Sequence, residues 1–232
     1  MRSLRVLSRL LAYPSTESQE QISALKGVLI EDGFLKKKTC LKLVAFMDEL
    51  AAADLMNAQE IYVETFDRGR AHSLHLFEHV HGESRFRGQA MLDLSDRYAE
   101  MGLKIGVGEL PDYLPLFLEF ISICEPQEGR ETLAQATPVI ATIGEKLRRK
   151  KSGYAHIFSA IVEISGAKLK NSDIKKAADK SPPEIKTLDE LDEEWQEPEA
   201  FGSFGTKGPD CGTCGQMPLQ RASQKPDMGV GQ

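Results

Sequence analysis

A chain of 232 residues with 41% apolar and 28% charged residues has the composition of a soluble globular protein, with room for one domain and extensions. The formal charge of −6 is concentrated in residues 184–199, where eight acids face one lysine, so the remainder of the chain carries +1. Such a near-neutral body lacks the clustered cationic surface that phosphate backbones require, which excludes a general nucleic-acid-binding protein.

The N-terminal residues 1–15 do not form a secretory signal, because Arg5 and Arg9 interrupt the apolar run that a signal needs. No window of the sequence reaches the apolar length of a membrane-spanning helix. Cys40 and Cys124 stand singly in helical patterns, as reduced thiols do. We therefore expect a cytoplasmic protein.

Apolar residues recur at helical spacing through most of the chain, and helix-ending residues divide this pattern into separate elements. Pro14 ends the first helix, Ser15 and Thr16 are cap candidates for the second, and Asn57 is the predicted cap of the fourth. Helices are predicted over about 4–11, 16–31, 37–53, 57–66, 73–80, 83–102, 112–121, 133–147 and 154–161.

The strongly apolar helix after residues 110–112 is expected at the centre of the core, and Pro115 is tolerated because it lies in the first turn. Pro138 is expected to kink the following helix. The basic run 146–151 at the end of that helix fits the helix dipole, with phosphate binding as the lesser alternative. Alternation with period two is nowhere sustained, so we predict an all-α fold, a single helical bundle-like domain.

Residues 171–232 differ in character, since they hold six of the eleven prolines and no long apolar periodicity. We predict a helical domain over 1–170 and then a largely flexible tail, acidic and later Gly/Pro-rich, with one short helix at 187–196. Cys211 and Cys214 in this tail supply only half of a zinc or redox site.

Residues 62–94, called here the charged segment, interrupt the helical pattern with acids, arginines and four of the chain's five histidines. Because histidine titrates near neutral pH, proton-dependent behaviour is expected in this segment. No GxxxxGK[ST], GxGxxG or GxSxG motif occurs in the chain, so catalysis is not predicted.

Metal binding is one hypothesis for the histidines. His75 and His79 have the i, i+4 spacing of a helical zinc site, which Glu78 and His81 would complete. A glycine-broken segment fixes ligands poorly, so histidines that hydrogen-bond and orient a surface are the favoured interpretation. The alternative function is a metal-binding helical protein or metalloenzyme that uses the His72–His81 cluster and the two tail cysteines.

The arginines and acids of the charged segment admit two interpretations that are compatible with each other. They can pair with one another and close the breaks between helices. Acids at the rim of an apolar groove also attract a basic amphipathic peptide. The residues considered for pairing are Arg68, Arg70, Arg85 and Arg87 with Glu64, Asp67, Glu78 and Glu83.

Two long runs of sequence carry a family resemblance. FDRGRAHSLHLFEHVHGESRFRGQAM (66–91) followed by ELPDYLPLFLEF (109–120) closely resembles the respiratory nitrate reductase delta-subunit family of molybdenum cofactor assembly chaperones. The resemblance covers about residues 4–164 and includes the opening SRLLAYPS. Phe86 departs from it, since a polar or acidic residue is expected between the flanking arginines, and the sequence after Pro198 lies outside it.

The resemblance implies an all-helical, cytoplasmic chaperone that is not an enzyme, has no cofactor of its own and is absent from the finished reductase. Such chaperones hold the apo catalytic subunit, chiefly by its N-terminal peptide. They do so until iron-sulfur clusters and the bis-molybdopterin guanine dinucleotide cofactor are inserted and membrane attachment is allowed. Proteins that deliver the molybdenum cofactor are further expected partners, whereas nucleic acid and direct membrane insertion are not expected.

The predicted client-binding surface combines apolar contacts with acids that attract a basic client helix. Protonation of its histidines at about pH 6–7 is expected to weaken binding. The surface comprises Glu64, Asp67, Arg68, Arg70, Leu74, Phe77, Glu78, His79, His81, Glu83, Arg85, Asp112 and Tyr113, with Leu76 as a further apolar contact.

Overall fold

The structure, a computed structural model, describes residues 1–80, 86–106 and 108–180. Over these residues the chain is helical and contains no β-strand, so the all-α prediction is confirmed. The elements are α1 (Arg2–Leu11), α2 (Thr16–Asp32), α3 (Lys37–Ala52), α4 (Leu55–Phe66), a 3-10 helix (Arg70–His72), α5 (Leu76–Val80), α6 (Phe86–Glu100), α7 (Leu114–Ile123), α8 (Pro126–Arg149), α9 (Ala155–Ser165) and α10 (Asn171–Lys180).

Helix α1 lies in the middle of the core, where it contacts α2, α7 and α9. Its buried hydroxyls are all bonded to neighbouring elements. Ser3 Oγ donates to a carboxylate oxygen of Asp32 at 2.7 Å, and Ser8 Oγ donates to the Pro115 carbonyl at 2.8 Å. The hydrogen bonds offset the cost of removing these hydroxyls from water and fix α1 against α2 and α7.

The apolar helix predicted after residues 110–112 is α7, and its position in the core is confirmed. Leu114, Leu118 and Ile121 have no exposed surface. Pro115 lies in the first turn, where the missing backbone N–H would have had no helical partner. α7 therefore supplies one continuous apolar face to α1 and α8.

Helices α8 and α9 form the other large contact of the bundle. α8 runs unbroken from Pro126 to Arg149 through Pro138. At Gly144 the two helices approach so closely that an added Cβ would lie 2.8 Å from the Cβ of Phe158. Glycine is therefore required at this position by packing, since the backbone there is ordinary helix.

One of the predicted helix caps is confirmed and another is wrong. Ser15 caps α2 through a capping box in which Ser15 and Ser18 exchange side-chain to backbone bonds. The predicted cap at Asn57 was wrong, because α4 begins two residues earlier and Asp54 accepts from the Asn57 backbone N–H at 3.2 Å. A capping carboxylate must precede the first turn, and Asp54 does.

Helix α10 was not among the predicted helices. It is held against α8 by Arg149, whose Nη1 donates to Asp179 at 2.6 Å and whose Nη2 donates to the Lys175 carbonyl at 3.4 Å. Tertiary contact thus supports a helix whose own apolar pattern is weak. The division of the chain at residue 170 stays a prediction, and the predicted helix at 187–196 lies outside the described residues.

Two glycines give a test of how closely the bundle is packed. Gly153→Ala should lower the free energy of unfolding by about 1–3 kcal/mol, because the added Cβ would overlap the Phe46 ring. Gly27→Ala in α2, where nothing lies within 4 Å, should raise it by about 0.5–1 kcal/mol. Urea unfolding followed by circular dichroism measures both, and equal effects of the two substitutions would contradict the packing described.

Candidate functional site

Asp112 anchors the charged segment to the start of α7. The side chain has no exposed surface, and both carboxylate oxygens are bonded within the protein. His75 Nδ1 lies 3.1 Å from Oδ1, and the Phe77 backbone N–H donates to Oδ2 at 3.0 Å. One buried carboxylate therefore fixes both the residue before α5 and its first turn, an arrangement called here the Asp112 anchor.

Backbone hydrogen bonds reinforce the Asp112 anchor. The Leu76 N–H donates to the Asp112 carbonyl at 3.0 Å, and the Leu114 N–H donates to the Leu74 carbonyl at 2.8 Å. These bonds form an isolated antiparallel bridge between His75 and Tyr113. The two sequence runs that carry the family resemblance are thus joined directly in space.

A second anchor comes from α8. Lys146, only 9% exposed, donates from Nζ to the Ala71 carbonyl at 2.9 Å. Its stem packs along apolar surface while its ammonium group meets the 3-10 helix. The basic run 146–151 therefore does not act as one surface, because Lys146 points into the site and Arg148 and Arg149 are exposed.

The pKa values of His75 and His79, at the two ends of the α5 region, are shifted in opposite directions. The hydrogen bond to Asp112 raises the pKa of His75 against the opposing effect of burial. Burial lowers the pKa of His79, whose Nε2–H donates to the Ser73 carbonyl at 2.9 Å. As the pH falls, His75 is therefore protonated before His79.

The apolar residues divide into buried and exposed groups, which the sequence does not predict. Leu74 and Leu76 are 4% and 5% exposed and belong to the core, so they support the segment from below. Exposed apolar side chains include Val80, Phe86, Leu92 and Leu110, at 57%, 75%, 60% and 43%. Phe86 is the residue that departs from the family resemblance, between Arg85 and Arg87.

Ion pairs between arginines and acids of the charged segment are seen at Arg68 and at Arg87. Arg68 lies 3.6 Å from Glu64, one helical turn earlier, and Arg87 lies 3.6 Å from Glu78. The Arg87 pair joins α6 to α5 and is about three-quarters buried, whereas the Arg68 pair is exposed and contributes little to stability. Among the other predicted site residues, Asp67 and Arg70 are exposed, and His81, Glu83 and Arg85 lie outside the described residues.

Tyrosines link the site to the end of α1. Tyr62 donates from its hydroxyl to the Leu11 carbonyl at 2.8 Å and lies 3.4 Å from the Tyr113 hydroxyl. Burial raises the pKa of both phenols, so neither ionises near neutral pH. Tyr98 donates to the Pro111 carbonyl at 2.8 Å and holds the residue before Asp112.

The helical zinc site proposed for His75 and His79 lacks its geometric basis. α5 begins at Leu76, so His75 precedes the helix and the i, i+4 argument does not apply. Among the described residues no group of three or more histidine, cysteine or acidic side chains is placed to hold a metal ion. His81, Cys211 and Cys214 lie outside the part of the chain that the structure describes.

None of the helices in the described part of the chain is both long enough and apolar enough to cross a bilayer.

The all-helical architecture matches a known class of fold. A solved structure of an Archaeoglobus fulgidus protein assigned to redox enzyme maturation superposes with a TM-score of 0.52, at 20% identity, over 70% of this chain and 91% of that one. The two proteins share this all-helical fold, and in this chain the Asp112 anchor lies at the junction of α5 and α7.

Sequence comparison identifies the family. The family model described as "Nitrate reductase delta subunit" matches residues 35–160, and the chain belongs to this family. The nitrate reductase molybdenum cofactor assembly chaperone NarJ of Escherichia coli (strain K12) is 38% identical over 214 residues, which cover 91% of this chain and 88% of that protein. A Bacillus subtilis (strain 168) relative, named a probable chaperone of the same kind, is 31% identical over 70% of this chain and 89% of its own.

The Asp112 anchor is tested by substitution. Asp112→Ala should lower the free energy of unfolding by about 1–3 kcal/mol, because the buried Phe77 N–H loses its acceptor. The loss should be larger at about pH 6 than at about pH 8. The pKa of His75 is raised in the folded state, so its stabilising charge is present below the unfolded pKa and lost as pH rises through the folded one.

Urea unfolding at the two pH values measures this effect. Asp96→Ala is the matched control, because Asp96 is an exposed carboxylate on α6 and its removal should change stability by less than about 0.5 kcal/mol. A loss for Asp112→Ala that is identical at both pH values would show that the His75 contact contributes nothing.

Proposed function

We propose that this protein is an assembly chaperone for respiratory nitrate reductase, and that it binds the apo catalytic subunit by its N-terminal peptide. The family membership carries this proposal, since the matched region 35–160 includes both sides of the Asp112 anchor. Its named relatives are nitrate reductase molybdenum cofactor assembly chaperones, and the identity extends over most of both chains.

The proposed client is a basic amphipathic helix, and the surface chemistry around α5 supports it. The exposed carboxylates of Glu64 and Asp67 border the segment, and Glu78 lies partly buried beside Arg87. Exposed apolar side chains at Val80 and Leu110 provide area for the apolar face of such a helix. Helix-in-groove recognition needs this combination of apolar anchors and complementary rim charge.

Burial and hydrogen bonding support different proposed roles for the residues predicted for the client surface. Asp112 is buried, so it acts on the client only by positioning the segment. His79 is held by Ser73 and is a positioning residue as well. We retain Glu64, Asp67, Arg68, Arg70, Phe77, Glu78 and Tyr113 as contact candidates, with Leu74 beneath them, and His81, Glu83 and Arg85 as candidates outside the described residues.

The proposed role is to keep the apo subunit from membrane attachment until iron-sulfur clusters and the molybdenum cofactor have been inserted. A chaperone of this kind performs no catalysis, acts in the cytoplasm and leaves the finished enzyme. Proteins that deliver the molybdenum cofactor would meet the client while this chain holds it.

A pull-down tests the proposed client. In cells that cannot make the molybdenum cofactor, the apo catalytic subunit of nitrate reductase should accumulate on the tagged chaperone. In cells that make the cofactor, recovery of that subunit should fall, because the mature enzyme releases the chaperone. Recovery of mature, cofactor-loaded enzyme in equal amount would instead indicate a permanent structural subunit and contradict the proposal.

Client affinity should fall on acidification. His75 faces Asp112, Glu78 and Arg87, and His79 faces Lys146, so added protons make this region more positive. Titration calorimetry of the client's N-terminal peptide should show weaker binding at about pH 6 than at about pH 8, because a basic ligand is repelled.

Two variants give the pH experiment its control. His75→Gln combined with His79→Gln removes both protonation events and should flatten the profile, whereas the distant His156→Gln should leave it unchanged. A flat profile for the unaltered protein would remove the histidines from client recognition.

A further inference from the structure

A second groove lies between α8, α9 and α10, away from the Asp112 anchor, and has a volume of about 510 Å³. Its apolar lining comes from the partly exposed Val162 and Ile174 above the buried Phe158. Its polar lining includes Lys175 and the ion pair of Arg148 with Glu145. This size is within the range of clefts that bind ligands or peptide side chains. The groove exists because α10 packs across the end of α8 through Arg149.

The surroundings of this groove are strongly basic. Residues 145–180 hold ten lysines and arginines against four acids. Without Lys146, which is buried and donates to Ala71, their charge is +5 in a chain whose total is −6. All four acids are already bonded to groups of the folded chain. Glu145 accepts from Arg148 and Arg149, Asp179 accepts from Arg149, Glu163 accepts from Thr39, and Asp173 accepts from Ser172.

The helix dipole does not account for this charge. It favours cations at the end of α8, where Arg148 and Arg149 lie, but disfavours them at the beginning of a helix. Lys168 and Lys170 immediately precede α10 and are exposed. Cations at the start of α10 repel one another and oppose the dipole of that helix.

We propose that the groove between α8, α9 and α10 docks an acidic amphipathic segment of a partner protein. The apolar side chains of this segment lie over Val162 and Ile174, and its carboxylates meet Lys175 and the lysines before α10, next to the Arg148–Glu145 pair. A nucleic acid would satisfy the cations but leave the apolar floor uncovered, so the combination favours a peptide.

This surface differs in sign from the proposed client surface. The region around α5 is bordered by acids and suits a basic peptide, whereas the second groove suits an acidic one. The two surfaces therefore select different partners and do not compete for one ligand. A partner held in the second groove is brought close to a client on the same chaperone without contacting the Asp112 anchor.

Fluorescence anisotropy with the full-length protein tests the proposal. The probe is a labelled synthetic peptide whose helical faces carry Glu and Asp on one side and Leu and Trp on the other. Arg148→Glu combined with Lys175→Glu should weaken its binding on the order of tenfold, and Ile174→Ser should weaken it as well. Arg5→Glu combined with Lys38→Glu alters net charge equally at exposed sites elsewhere and should leave binding unchanged.

Each alternative occupant has its own result. Equal binding of the probe to the Ile174→Ser variant, or equal binding of a polyphosphate of similar charge, would overturn the peptide assignment. The chain's own acidic stretch is tested in a full-length variant with amides at Asp189, Glu190, Asp192, Glu193 and Glu194. Probe binding only to this variant would assign the groove to that stretch and overturn the proposed partner. Thermal melts verify that every variant is folded.

Discussion

The buried carboxylate of Asp112 is the constraint on which the candidate site depends. A carboxylate without exposed surface is tolerated only when its oxygens are bonded, and here His75 and the Phe77 N–H meet that requirement. The same bonds that satisfy the carboxylate also hold a short, glycine-flanked segment in one position. The Asp112 carboxylate and the two backbone bonds beside it hold the start of α5 next to the start of α7.

The sequence predicted the helical class, the apolar α7 and the cap of α2, because each depends on local pattern. It did not predict α10, whose helix is held by Arg149 across a long sequence distance. The sequence located the candidate site in one segment of the chain, but it did not indicate which side chains of that segment are exposed. Leu74 is apolar in the sequence and buried in the fold, whereas Val80 is equally apolar and exposed, and only tertiary packing separates them.

The charged residues illustrate the same division between local and tertiary information. The pairing of Arg68 with Glu64 follows from helical spacing and could be read from the sequence. The buried bond from Lys146 to the Ala71 carbonyl joins residues 75 positions apart and has no local signal. A basic run that looks uniform in the sequence is therefore divided between a buried anchor and an exposed, cationic rim.

The brevity of α5 has a thermodynamic consequence. A helix of five residues cannot sustain itself in water, so its shape comes from bonds to Asp112 and from the bundle beneath it. The segment is then a unit that can open while the core stays folded. A client that binds only the closed form stabilises that form by mass action. Client affinity and the local order of the segment therefore depend on the same equilibrium.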